Sequence, residues 1–271
     1  MAIIFLFAAC RLTPRVDRQP FIETSPPSVR VGPTPEDDVH PEVESFPGVD
    51  PPDASPAEDR SLDELSKVGA AARAILQPRP YRELVVEVDW VTGHPPNPSA
   101  VDHLVQVLRS STRKPVSTRG GNELSAQGGP YYPSQIRALA EKRDVRSGGS
   151  IAAIWVAYLD GRLAANRRAG GAAISGTVLA MFPDRLNETA DAGGTLEAAT
   201  LLHEMGHLLG LINIGYTSPR GREDPTHPGH SINQGSVMHW SVEAASGPDG
   251  LPSNFDEDDL ADLRGLADGS L

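Results

Sequence analysis

The residues best suited to chemistry are two histidines and a glutamate in the run His203-Glu204-Met205-Gly206-His207. Side chains four residues apart lie on the same face of an α-helix, so both imidazoles can bind one metal ion. Zinc suits imidazole ligands, polarises a carbonyl group and lowers the pKa of its bound water. The glutamate beside the first histidine is placed to take a proton from that water. The spacing therefore predicts a zinc site with Glu204 as the general base.

The helix that carries this motif is predicted to run from about Thr195 to Leu209 and to be buried, because apolar side chains cover most of its faces. Histidines and a carboxylate are costly in such a helix unless a metal ion or hydrogen bonds satisfy them. This favours a metal site over the simpler interpretation, a helix with two structural histidines. Gly210 stands where the helix should end, since glycine adopts the left-handed conformation that turns the chain.

These residues resemble the metzincin clan of zinc peptidases, in which the HExxH motif continues through a glycine, here Gly210. Ser236-Val237-Met238-His239-Trp240 is similar to the methionine turn beneath the metal in these enzymes, with Met238 as the structural methionine. The resemblance covers roughly residues 80–271. It implies an α+β, zincin/metzincin-like fold with a mixed sheet, an active-site helix, the methionine turn and a C-terminal helix. It also implies a zinc metalloendopeptidase that cleaves peptide or protein substrates.

The third zinc ligand is where the sequence departs from the family's pattern. The expected position, three residues after the glycine, holds Asn213, a poor zinc ligand. In the archaemetzincin motif the third histidine is followed by a cysteine, four residues and Cys-x-Met. His230-Ser231 and Ser236-Val237-Met238 resemble that spacing, with serine at both cysteine positions. The resemblance therefore implies a displaced third ligand, His230, with His227 and Asp224 as the alternatives.

Two other interpretations of the site remain open. In a zincin outside the metzincins, Glu243 or Glu257 would supply the third ligand, and Gly210 with the methionine turn counts against this. A protein that binds zinc and peptides or cell-wall material without cleaving them would be an inactive binding module, which would not need Glu204.

In the peptidase, we expect substrate to extend along an exposed edge strand within residues 171–178. Tryptophan does not ligate metals, so Trp240 is expected to pack or to line the pocket.

The elements that position these residues have an α+β order, with most strands before the central helix. The predicted elements are a helix over 61–77, a strand over 83–91, a helix over 97–111, a short strand over 114–118, helical turns over 133–142, a buried strand over 151–158, an apolar run over 174–182 and a helix over 256–266. Four consecutive acidic residues, 256–259, begin the last helix. There they complement the helix dipole, and their spacing does not fit a calcium loop.

The first 60 residues differ in composition from the rest. The run Met1–Cys10 is apolar and ends in two alanines and the one cysteine, so it resembles the end of a bacterial lipoprotein signal peptide with Cys10 as the lipidated residue. Residues 11–60 hold 11 of the 25 prolines and 11 acidic residues, which predicts an extended tether. The metallopeptidase domain is predicted to span residues 61–271, outside the cytoplasm.

Charge and cysteine content narrow the possible partners. The formal net charge is −12 and the pI is near 5.1, with no basic stripe of the kind that neutralises phosphates, so nucleic acid is not an expected partner. The same acidity disfavours docking on anionic lipids, and membrane contact is expected through the lipid anchor alone. A single cysteine excludes an intrachain disulfide.

Overall fold

The computed structural model describes residues 61–188, 193–242 and 251–271. The chain divides into two units, Met1–Asp53 and Ala54–Leu271, and every described residue belongs to the second. The predicted signal remnant with Cys10, the tether over residues 11–60 and Glu243 lie outside the described residues. None of the helices in the described ranges combines the length and apolarity that crossing a membrane requires.

Short helices and strands alternate along most of the described chain. A 3-10 helix, Leu62–Glu64, precedes the elements α1 (Ala72–Leu76), β1 (Glu83–Val91), α2 (Pro98–Thr112), β2 (Val116–Leu124), β3 (Pro130–Tyr131), α3 (Pro133–Ala140), β4 (Ile151–Tyr158), β5 (Arg162–Leu163), β6 (Gly171–Ala173), β7 (Val178–Met181), α4 (Pro183–Asn187), α5 (Gly193–Leu208) and α6 (Glu257–Asp268).

The central sheet has five strands in the order β2-β1-β4-β7-β6. Its first four strands are parallel, and β6 runs antiparallel to β7 at one edge. The sequence of β4 is apolar throughout because a parallel strand is covered on both faces. Strands β3 and β5 form a separate parallel pair. The prediction of a mixed sheet combined with helices is confirmed, and most of the sheet is parallel.

Two apolar clusters cover the two faces of this sheet. On one face, side chains of β1 and β4 pack with the apolar faces of α1, α2, α5 and α6. On the other face, Trp155 and its neighbours pack with Ile136 and Ala140 of α3. Helix α5 therefore lies inside the protein, against α2, β6 and β7. This position explains why its sequence is apolar on most faces.

The prediction of one continuous helix over 61–77 is wrong. The segment forms the 3-10 helix and α1, separated by a turn at Gly69, whose φ is +77°. A Cβ atom at Gly69 would lie 2.9 Å from Cγ2 of Ile214 and 3.2 Å from the amide nitrogen of Gly215. The chain therefore turns at Gly69 to pack closely beneath the segment that follows α5.

One strand also differs in its bounds from the prediction. The strand predicted over 114–118 begins at Val116 and continues as β2 to Leu124, because Gly120 (φ +100°) lets the chain pass close to Val88 at an irregularity in the pairing with β1. The edge strand expected within 171–178 is β6, at one edge of the sheet. At the C-terminus, α6 begins as predicted in the acidic run, and Asp256 and Asp259 cap each other's amides.

Candidate metal centre

Three histidines converge at the C-terminal half of α5. His203 and His207 project from one face of the helix, and His230 approaches from the loop that follows it. Each offers a ring nitrogen, and these nitrogens lie within 4.8 Å of one another. The Nε2 atoms of His203 and His207 are 3.0 Å apart. Among the described residues, this is the group whose donor atoms could share one metal ion.

Backbone carbonyls orient two of the three rings. Nδ1 of His203 lies 2.7 Å from the carbonyl oxygen of Val237, and Nδ1 of His230 lies 3.2 Å from that of Pro228. A carbonyl oxygen only accepts, so both Nδ1 atoms carry the proton and both Nε2 atoms keep a free lone pair. Nδ1 of His207 is buried and has no hydrogen-bond partner among the described residues.

The surroundings keep all three imidazoles uncharged. Burial, with smaller contributions from the nearby His230 and His239, lowers the pKa of His203 to about 4, against the hydrogen bond to Val237, which raises it. Burial also lowers the pKa of His207 well below its ordinary value and, to a lesser degree, that of His230. Neutral imidazole is the form that binds metal, because a protonated ring has no free lone pair.

This donor set fits zinc. Two nitrogens bound about 2.0–2.1 Å from a tetrahedral zinc ion lie about 3.3 Å apart, close to the 3.0 Å between the Nε2 atoms of His203 and His207. With Nδ1 of His203 and of His230 protonated, their Nε2 lone pairs converge with Nε2 of His207 in a buried site, an arrangement that a bound cation would satisfy. Three histidines also leave the fourth position of a catalytic zinc open.

The loop after α5 places His230 through a small hairpin. Gly210, with φ +85°, ends the helix as predicted and turns the chain. Further on, the amide of Asp224 donates to the carbonyl oxygen of His230 over 2.7 Å. The amide of Ile232 donates to the carbonyl oxygen of Arg222 over 3.0 Å. The segments around residues 223 and 231 thus pair in antiparallel fashion and bring His230 back to α5.

Met238 packs directly beneath the helix that carries the motif. The side chain is fully buried, and a Cβ atom added to Gly206 would lie 2.3 Å from its sulfur. Only glycine at position 206 therefore allows this contact. The neighbouring carbonyl of Val237 orients His203, so this turn both supports α5 and holds one of the three rings.

Glu204 lies between α5 and the edge strand β6. Its Oε2 accepts a hydrogen bond from the amide of Ala173 over 2.8 Å, and its Cγ would be 2.8 Å from a Cβ atom on Gly171. Burial raises the pKa of Glu204 to about 7, and the amide of Ala173 partly offsets this rise. The carboxyl group is thus held beside the histidines in a protonation state that is easily changed near neutral pH.

A cleft of about 870 Å³ opens over the three histidines and Glu204. Its lining includes the polar side chains of Asn166, Arg168 and Arg185 and the rings of Trp240 and His227. These two rings stack with centroids 4.3 Å apart at 6°. Trp240 is 49% exposed, so it lines the cleft.

The structure places the alternative third ligands elsewhere. Nδ1 of His227 lies 2.7 Å from Oδ2 of Asp224, so the two bind each other beside the cleft and stand outside the histidine group. The side chain of Asn213 is engaged by Glu223 and by the amide of Ser218. Glu257 is exposed in the first turn of α6 and is outside the group as well.

Sequence reasoning missed several residues of the site. The amide of Ala173, the close approach of Gly171 and the arginines of the cleft wall come from β6 and its neighbours, far from the HExxH motif. An alanine- and glycine-rich stretch carries no chemical signal of its own. The expected edge strand within 171–178 was the one indication that this segment borders the site.

Solved structures with a similar fold include two archaemetzincins. That of Methanopyrus kandleri is 20% identical over 70% of this chain and 97% of that chain, with a TM-score of 0.46. That of Archaeoglobus fulgidus, complexed with malonate, is 18% identical over 66% and 99%, with a TM-score of 0.41. A zinc-dependent peptidase from Methanocorpusculum labreanum is 17% identical over 66% and 99%, with a TM-score of 0.42. No protein-family model and no curated protein matches the sequence.

Proposed function

We propose that this chain is a zinc-dependent endopeptidase of the metzincin type that cleaves peptide or protein substrates. The observation that carries the proposal is the convergence of three neutral imidazoles beside a buried carboxyl group at the base of an open cleft. The proposed ligands are His203, His207 and His230. Glu204 is the proposed general base, and Met238 supports the helix from below.

Zinc bound to the three histidines would polarise the scissile carbonyl and make the attacking water more acidic. Glu204 accepts the proton of that water and delivers it to the leaving amine. The amide of Ala173 holds one oxygen of the carboxylate, which leaves the other for the proton transfer. Because β6 pairs with β7 along one side only, an extended substrate can align along its other edge at the cleft.

Replacement of the proposed base separates catalysis from metal binding. Glu204→Gln keeps the size and burial of the side chain, so we expect one zinc ion per chain as in the wild type, with cleavage of casein or a quenched peptide reduced by about 10³-fold or more. His203→Ala is the matched variant that loses zinc. A wild-type protein that binds zinc yet cleaves no member of a broad peptide library would instead be the binding module.

The lipid anchor and the location outside the cytoplasm are also proposals. They rest on the apolar run that ends at Cys10 and on the proline-rich segment 11–60. Expressed in a bacterium with its native N-terminal region, the protein should incorporate labelled palmitate and partition into detergent, and Cys10→Ser should abolish both. Equal labelling of wild type and Cys10→Ser would remove the anchor from the proposal and leave the peptidase assignment intact.

A further inference from the structure

A buried arginine lies between the loop that carries His230 and the C-terminal helix α6. Nη1 of Arg222 is 2.5 Å from Oδ1 of Asp259, and Nη2 is 2.9 Å from Oδ2 of Asp262. Both aspartate side chains are fully buried, and that of Arg222 is 8% exposed. Oδ1 of Asp256 lies 3.7 Å from Nη1. Two carboxylates of α6 and that of its N-cap residue, Asp256, thus surround one guanidinium that the proposed reaction does not use.

The same helix is joined to the methionine turn. Oγ of Ser236 donates to Oδ2 of Asp259 over 3.4 Å and accepts from the amide of Met238 over 3.1 Å. The carbonyl of Met238 in turn accepts from the amide of Ser231, next to His230, over 2.8 Å. Asp259 therefore contacts both the arginine and the turn that supports α5.

Backbone hydrogen bonds join the segment that contains Arg222 to the segment that contains the third histidine, His230. The carbonyl of Arg222 accepts from Ile232, and two residues further along the same hairpin the amide of Asp224 bonds the carbonyl of His230. A displacement of Arg222 would therefore move the strand that holds His230, relative to the two histidines fixed on α5. Serines at 231 and 236 form no covalent cross-link that could replace this bridge.

We propose that Arg222, clamped by Asp259 and Asp262, is a positioning residue that sets the place of His230 and thereby the metal affinity of the centre. This inference rests on the proposed metal site. A guanidinium suits the task because its planar fork bonds two carboxylates at once in fixed geometry. Its removal takes away the guanidinium that Asp259 binds and leaves Asp262 with Arg220 alone of the two arginines. A buried carboxylate that loses its ion pair is strongly destabilising, so the hairpin must move to admit water to Asp259.

The test compares two buried arginines. Arg222→Met is paired with Arg143→Met, because Nη2 of Arg143 makes a similarly buried ion pair, 2.9 Å from Oδ1 of Asp63, away from the cleft. We measure the zinc dissociation constant by chelator competition and the visible absorption of the cobalt-substituted proteins. Arg222→Met should raise the dissociation constant by about 10–100-fold, the range for groups that orient metal ligands, and should change the cobalt spectrum. Arg143→Met should lower the melting temperature and change neither.

Asp259→Asn is the second variant, in case Arg222→Met does not fold. It keeps the volume of the side chain and weakens the bridge, and it should shift the zinc affinity and the cobalt spectrum in the same direction. Folded Arg222→Met or Asp259→Asn with wild-type affinity and spectrum would overturn the positioning role while leaving the peptidase proposal standing. A wild-type protein that binds neither metal would overturn both.

Discussion

Gly171→Ala tests whether the placement of Glu204 governs catalysis. A Cβ atom at position 171 would lie 2.8 Å from Cγ of Glu204 and 3.1 Å from Cγ2 of Thr200. Carbon atoms attract each other best at about 3.5–4.0 Å, so the methyl group is closer to the glutamate than that separation by roughly 0.7–1.2 Å. The backbone of Gly171 is not in the left-handed region, so alanine adds no conformational strain that could confuse the result.

The overlap must be relieved by movement of the Glu204 side chain or of β6. Either movement disturbs the hydrogen bond from the amide of Ala173 to Oε2. A displacement of about 1 Å in a catalytic group costs on the order of 10²-fold in rate. We therefore expect kcat to fall by roughly 10–100-fold. The three atoms nearest to the added methyl group belong to Glu204, Met181 and Thr200, and none belongs to a proposed zinc ligand. Zinc affinity should therefore change by less than about threefold, well short of the loss expected when ligand orientation is disturbed.

Steady-state hydrolysis of a quenched peptide and zinc titration of the same preparations measure both quantities. Gly148→Ala is the matched control, because a Cβ atom there meets nothing within 4 Å. It should leave kcat at the wild-type value. A Gly171→Ala protein with wild-type kcat would refute the reasoning that ties the rate to the position of Glu204. Loss of zinc from this variant would show that the methyl group acts on the ligands.

Three further predictions concern the ligand loop, the cleft and the core. His230→Ala should raise the zinc dissociation constant by more than roughly 100-fold, which exceeds the effect of removing a group that only orients a ligand. His227→Ala should change the zinc dissociation constant little. Equal effects of the two substitutions would contradict the assignment of His230 as the ligand. Arg168 is exposed and lines the cleft. Arg168→Glu should therefore lower kcat/KM for an acidic peptide, relative to that for its basic counterpart, by about fivefold. If paired assays show no change in the ratio of these two kcat/KM values, Arg168 does not contact the substrate. Burial lowers the pKa of Lys114 from 10.5 to about 8. Between these two pH values the unfolded chain binds more protons than the folded protein, so the free energy of unfolding should rise with pH in this range. Urea unfolding should show this rise in the wild type and should not show it in Lys114→Met.

The parts of the site that follow from local spacing could be predicted from the sequence. The i and i+4 histidines of α5, its apolar faces and its end at Gly210 are all local properties, and the structure has them. The acidic start of α6 was also recognisable, because capping chemistry involves only neighbouring residues. His230 was expected because its spacing to Ser236 and Met238 resembles the archaemetzincin motif, and the structure brings it to the other two histidines.

The remaining features depend on contacts between distant parts of the chain. Gly69 breaks a helical pattern because it packs against Ile214 and Gly215, about 145 residues away. β2 extends through two glycines because Asp89 of β1 accepts a hydrogen bond from the amide of Asn122. Arg222 finds its carboxylate partners 37 and 40 residues later. None of these pairings leaves a periodic or compositional signal, so only the folded structure reveals them.

The most direct test of the metal centre is anomalous scattering from crystals of the zinc-loaded wild-type protein. Data on both sides of the zinc absorption edge should give one peak about 2.0–2.1 Å from a ring nitrogen of each of His203, His207 and His230. Absence of zinc from α5, or a peak held by other side chains in place of these three, would contradict the account.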